Sequence, residues 1–226
     1  MFPFRLARLG YTWTNMTDTP SALLDADLAA YLAGEWNRFG DAGDQRDLLQ
    51  LLHRLATGAP VPRADVADAV AGLPPAWLEA GDDDNLIGFG GLTQAETRHR
   101  LDIDGRTLHA WCAFDCLFLP ALLGRTIAVA STCPSTGTPI TLTVSPDAIE
   151  ACAPANTVVS FVLPDEASRR QSLRQVFCAH INFFACTEAA DHWLATAEGG
   201  RILDLETAFD LARQRNAAAF GAGLET

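Results

Sequence analysis

The period of the apolar residues changes part-way along the chain, and that change limits the fold class more than any other feature. Up to about residue 70, apolar side chains recur at helical spacing. Leu23, Leu24, Leu28, Tyr31 and Leu32 follow the capping run Thr19-Pro20-Ser21 and predict a helix to about Phe39, stopped by Gly40. Leu48, Leu49, Leu51, Leu52 and Leu55 predict a second helix ending at Gly58, residues 61–70 a short third, and Gly72-Leu73-Pro74-Pro75 the start of a fourth turn. From Asn85 onward the segments are short and punctuated by glycine: 85–89, 97–103 and 107–110, the last two joined by Asp104-Gly105, a strong hairpin signal.

Beyond residue 110 the pattern is mixed. A helical stretch around 112–119 should end at Pro120, followed by strands at 127–131 and 140–144, a short helix opened by Ser145-Pro146-Asp147, and a strand at 157–163. A polar helix at 165–175, an apolar segment at 176–184, a helix capped by Thr187 and a last helix at 205–218 complete the reading. Strands and helices do not alternate regularly enough for a doubly wound sheet, so the expected class is α+β. Its expected parts are a flexible extension at 1–18, a helical winged-helix-like domain at 19–95, and a catalytic domain at 96–226 built on a mixed or antiparallel sheet flanked by helices.

Charge and composition remove several functions. Residues 17–97 hold 14 acidic side chains against 4 Arg, a balance of −10 within a net charge of −12, and the chain has no Lys. That repels nucleic acid, so the winged-helix-like part reads as a packing platform and no nucleic-acid partner is expected. The longest apolar stretch, 117–130, is interrupted by Pro120 and Arg125, and the first sixteen residues lack a signal-peptide pattern. No membrane association is expected, and the expected compartment is the cytoplasm.

The six cysteines, Cys112, Cys116, Cys133, Cys152, Cys178 and Cys186, match neither a zinc ribbon nor a small disulfide scaffold. Cys112 and Asp115 stand three residues apart, so on one helix both project from one face and can share a proton. A cysteine near a helix N-terminus also feels the positive end of the dipole, which favours thiolate. Taken alone, the same spacing better suits a buried cysteine beside an unrelated cap or turn carboxylate. Cys178, by itself, fits a small hydrophobe in a strand, and His180 fits a core histidine bonded to backbone.

Taken together, these segments carry a more specific pattern. Ala110-Trp111-Cys112-Ala113-Phe114-Asp115 is followed by Phe118-Leu119-Pro120-Ala121-Leu122-Leu123-Gly124-Arg125 and Ser131-Thr132-Cys133-Pro134-Ser135-Thr136-Gly137. Leu142-Thr143-Val144-Ser145-Pro146 and Val176-Phe177-Cys178-Ala179-His180-Ile181-Asn182-Phe183-Phe184-Ala185 come next. In order and spacing, about residues 98 to 200 resemble the organomercurial (alkylmercury) lyase family. The resemblance implies that Cys112 and Cys178 are mercury-binding thiols, that Asp115 is the proton-transfer carboxylate at the metal, and that Cys133 is structural. Cys116, Cys152 and Cys186 depart from the family pattern. Cys116, four residues after Cys112, reads as packing before spare ligand.

The implied chemistry has a physical logic. Mercury(II) is soft and prefers sulfur to oxygen or nitrogen donors. Thiolates on the metal push electron density onto the attached carbon until it can be protonated. Asp115 would take the proton of a thiol as it metallates and deliver it to that carbon, leaving a hydrocarbon and Hg(II) on two sulfurs. Apolar neighbours such as Phe114, Phe118 and Phe177 should raise the pKa of its carboxyl. No organic cofactor is implied, Hg(II) being bound only as product, and the expected acceptors are low-molecular-weight thiols or a mercuric reductase. The alternative is a non-enzymatic soft-metal binder or metallochaperone using Cys112, Cys116 and Cys178, which would not need Asp115.

Overall fold

The computed structural model describes residues 42–162, 177–197 and 199–224. The predicted extension at 1–18, first helix at 19–39 and polar helix at 165–175 lie outside the described residues or are not covered by them. Helix α1 (Ala42–Leu55) buries Leu48, Leu49, Leu51, Leu52 and Leu55, the apolar set that predicted it. The short third helix is shorter than expected: a 3₁₀ turn at Arg63–Val66 runs into one turn of α-helix, α2 (Ala67–Val70), and a further 3₁₀ turn occupies Pro75–Trp77.

Strands β1 (Leu78–Ala80), β2 (Leu86–Phe89), β3 (Leu92–Thr93), β4 (His99–Ile103) and β5 (Arg106–Ala110) lead into helix α3 (Asp115–Leu123). Strands β6 (Ile127–Thr132), β7 (Pro139–Val144) and β8 (Ile149–Ala153) complete a large sheet of order β1-β2-β3-β5-β4-β6-β7-β8. Strand β9 (Val158–Val162) lies between β10 (Phe183–Phe184) and β11 (Gly200–Asp204) in a second, three-stranded sheet. Helices α4 (Thr187–Thr196) and α5 (Leu205–Leu224) close the described chain. Every strand pairing among the described residues is antiparallel. The α+β class follows directly.

Local sequence accounts for the hairpin that anchors the large sheet. Asp104 and Gly105 adopt positive φ of 52° and 75° between β4 and β5, a two-residue turn whose twist matches that of the strands it joins. Along β6 burial alternates strictly, with Ile127, Val129 and Ser131 inside and Ala128, Ala130 and Thr132 outside. One face of this part of the sheet therefore covers the core and the other faces water. Helix α3 packs against α1, α5 and β7, and every side chain in it except Ala121 is buried, as expected of a helix apolar on all sides.

Two predictions of local structure are corrected. Ser145-Pro146-Asp147 does not open a helix: the Ser145 N–H donates to the Ala148 carbonyl and its hydroxyl caps the same turn, which leads into β8. Helix α3 starts at Asp115 and continues through Pro120 to Leu123, rather than running from 112 and stopping at the proline. Strand β3, ahead of residue 95, pairs with β5, beyond it.

The two sheets meet at His99, whose ring stands edge-on to Phe183 with centroids 5.7 Å apart and whose Nδ1 lies 3.0 Å from the Ser131 hydroxyl. Burial, then the charge of Arg98, lowers its pKa to about 3. A histidine that stays neutral when folded but takes a proton when unfolded removes stability as pH falls below its unfolded pKa of about 6.5. Between pH 7 and 5, His99 is expected to remove about 2 kcal/mol. Urea unfolding at the two pH values should reveal this slope in the parent protein and a flatter one in His99→Gln.

Candidate active site

Cys112 occupies the bend between β5 and α3, just before the helix. Its position is set by two backbone constraints. The Trp111 N–H donates to the Gly91 carbonyl at 2.9 Å, and the Ala113 N–H donates to the Ile181 carbonyl at 3.2 Å. The second bond ties the Cys112 bend to the segment carrying Cys178. That segment is a 3₁₀ turn at Cys178–His180, in which the Ile181 N–H returns to the Cys178 carbonyl.

Asp115 opens α3 and reaches back: its Oδ2 accepts the Cys112 N–H at 2.8 Å. This resembles the reciprocal bond of a capping box, in which a side chain in the first turn satisfies an N–H ahead of the helix. The thiols of Cys112 and Cys178 and a carboxylate oxygen of Asp115 all lie within 4.8 Å of one another, and all three residues are buried. The three residues singled out by sequence therefore converge.

Electrostatics correct one expectation. Cys112 precedes the helix, and instead of favouring thiolate, its surroundings push the thiol well above the ordinary range. Burial is the main cause, followed by hydrogen bonding with the Cys178 side chain and the charges of Asp115 and Cys178; a bond to the Asp115 backbone offsets them in part. The resting group is a neutral thiol that needs a nearby base to metallate. Cys116 is also buried and raised, by burial and then by the charge of Asp115; its Sγ lies 3.5 Å from the Cys112 carbonyl. His180 is not the expected core histidine, for its side chain is exposed.

Phe114 flanks the site with its ring centroid 5.6 Å from Phe118 and 5.1 Å from Phe161, both edge-on, so α3 and β9 are locked together beside the thiols. Two further residues escaped sequence reasoning. Ser160, on β9, donates its hydroxyl to the His180 carbonyl at 2.8 Å and accepts the Asn182 N–H at 2.9 Å, holding the turn that carries Cys178. Arg215, on α5, is 1% exposed and stacks its guanidinium 4.0 Å above the Phe118 ring. Burial lowers its pKa to about 9 and the negative charge of Asp115 opposes that shift, so at neutral pH a cation shares the interior with the carboxylate. A signal for Arg215 existed: Ala208, Leu211, Ala212 and Ala219 form a buried stripe, and Arg215 falls on it.

A family model described as alkylmercury lyase matches residues 92–216, which contain all three converging residues. The chain belongs to the alkylmercury lyase family. It is 40% identical over 177 residues to an alkylmercury lyase of Staphylococcus epidermidis, covering 74% of this chain and 80% of that one. Similarity to the alkylmercury lyase of Pseudomonas putida is 41% identity over 170 residues, 71% and 78% of the two chains. Against that of Streptomyces lividans it is 38% over 198 residues, 82% and 89%. A crystal structure of the mercury-bound form of MerB2 matches with a TM-score of 0.71 at 22% identity, over 86% of this chain and 99% of that chain, a likeness of fold.

Proposed function

We propose that this alkylmercury lyase family member cleaves the carbon–mercury bond of organomercury(II) compounds by protonolysis, with Cys112 and Cys178 as mercury ligands and Asp115 as proton carrier at the metal. The approach of two thiols and one carboxylate within 4.8 Å in a buried setting carries this reading. One thiol binds R–Hg⁺ and its proton leaves for solvent. The second thiol metallates as Asp115 accepts its proton, and the carboxyl then delivers that proton to carbon. The C–Hg bond breaks, R–H departs, and Hg(II) stays on two thiolates: one proton has gone to carbon and one to solvent. Because Cys112 is held as a neutral thiol, a base beside it is necessary, and the carboxylate bonded to its own N–H is well placed to serve. A soft-metal binder would have no use for that buried carboxylate.

The same proposal includes low-molecular-weight thiols or a mercuric reductase as acceptors of Hg(II), no organic cofactor, no nucleic-acid or membrane partner, and a cytoplasmic setting. Among the described residues no helix is long and apolar enough to cross a membrane. It also keeps residues 19–95 as a winged-helix-like platform, supported by the packing of α1 against α3 and α5. The direct test incubates reduced protein with methylmercury and excess thiol and measures methane. Methane is expected from the parent protein and not from Cys178→Ser; tight mercury retention without methane from the parent would favour the binder instead.

A further inference from the structure

The hairpin between β2 and β3 has a two-residue loop, Gly90-Gly91, at positive φ of 57° and 104°; Phe89 pairs with Leu92 across it. Gly91 is pinned in turn, because its carbonyl accepts the Trp111 N–H one residue before Cys112. A Cβ on Gly91 would stand 2.7 Å from both Cγ and Oδ1 of Asp115 and 2.9 Å from its Cβ, closer than real Cβ contacts come. Around a Cβ on Gly90, by contrast, nothing lies within 4 Å. The Asp115 carboxyl is therefore held between two pieces of backbone. Oδ2 is bonded to the Cys112 N–H, and Oδ1 lies against the bare α-carbon of Gly91.

We infer that Gly91 is a positioning residue for the reaction: its missing side chain lets Asp115 sit beside the two thiols, and the hairpin tip fixes which way the carboxyl faces. This rests on the reading of Asp115 as proton carrier. Asp115 is only 5% exposed and has a short side chain, so a methyl group at residue 91 leaves it no nearby alternative except to swing away from Cys112. Misplacing a reacting group by an ångström slows chemistry by about 10²-fold without removing the groups that bind.

The test compares Gly91→Ala with Gly90→Ala, in hydrocarbon release from methylmercury and in retention of Hg(II). Gly91→Ala is expected to lower turnover by about 10²-fold while the two thiols still hold Hg(II), and Gly90→Ala to stay near the parent. Backbone strain is greater at φ +104° than at +57°, so the Asp115→Ala background completes the comparison, keeping the strain and removing the contact. There Gly91→Ala should lower the thermal midpoint by several degrees less than it does with Asp115 present, a readout that survives if the single variant is too unstable for kinetics. Equal turnover in the two alanine variants, or equal destabilisation with and without Asp115, would overturn the inference. Absence of methane from the unmodified protein is a separate result, which removes the functional reading beneath it.

Discussion

Asp115→Ala is expected to lower hydrocarbon release from an organomercurial by about 10²- to 10⁴-fold, the range lost with a positioned proton donor, while Hg(II) is still captured by Cys112 and Cys178. The informative companion is Asp115→Asn. Its amide oxygen can still accept the Cys112 N–H that Oδ2 accepts at 2.8 Å, so the bend ahead of α3 keeps its shape. An amide cannot relay a proton between sulfur and carbon, and Asp115→Asn should be as inactive as Asp115→Ala. Single-turnover measurement of methane alongside mercury retention separates the two effects. Wild-type methane release by either variant would show that the proton reaches carbon from elsewhere.

The second large effect concerns stability. Phe114→Ala should destabilise the protein by about 3–5 kcal/mol, the range for removing a buried aromatic side chain that neighbours fill only in part. Phe114 is 1% exposed and its ring touches Phe118 within α3 and Phe161 on β9, so the cavity would open where the helix of Asp115 meets the small sheet. Urea unfolding monitored by tryptophan fluorescence measures the loss. A change below about 1 kcal/mol would mean that α3 is held against the small sheet mainly by contacts other than the Phe114 ring.

The long apolar periodicities were legible in the sequence. Leu48 to Leu55 specified α1, the alternation at 127–131 specified β6, and Asp104-Gly105 specified the β4–β5 turn. Strands β1 and β3, of three and two residues, are too short to carry any period, and sequence reasoning missed both. Strand β8 was missed for another reason: as the edge of the large sheet it has mostly exposed or half-buried residues on both faces, so no alternation marks it. Pro120 misled because proline usually stops a helix, yet α3 carries it in its interior. For the site, residue types and motif order pointed to Cys112, Asp115 and Cys178. Sequence could not reveal that a backbone bond from Ala113 to Ile181 draws the two cysteine segments together, since such a bond leaves no trace in side-chain identity. Gly91 was hidden similarly, because a glycine that makes room is indistinguishable from one that makes a turn.

The Ala113–Ile181 backbone bond ties together the segments carrying the two thiols, which lie far apart in sequence. An ion held by both sulfurs would therefore act as a cross-link, closing a loop from residue 112 to residue 178. By the loop-entropy relation used for disulfides, a closure of this length would favour the folded state by about 4 kcal/mol. On the proposed chemistry, the enzyme would be more resistant to unfolding after turnover than before it, and an incoming dithiol that removes the mercury would also be opening a staple.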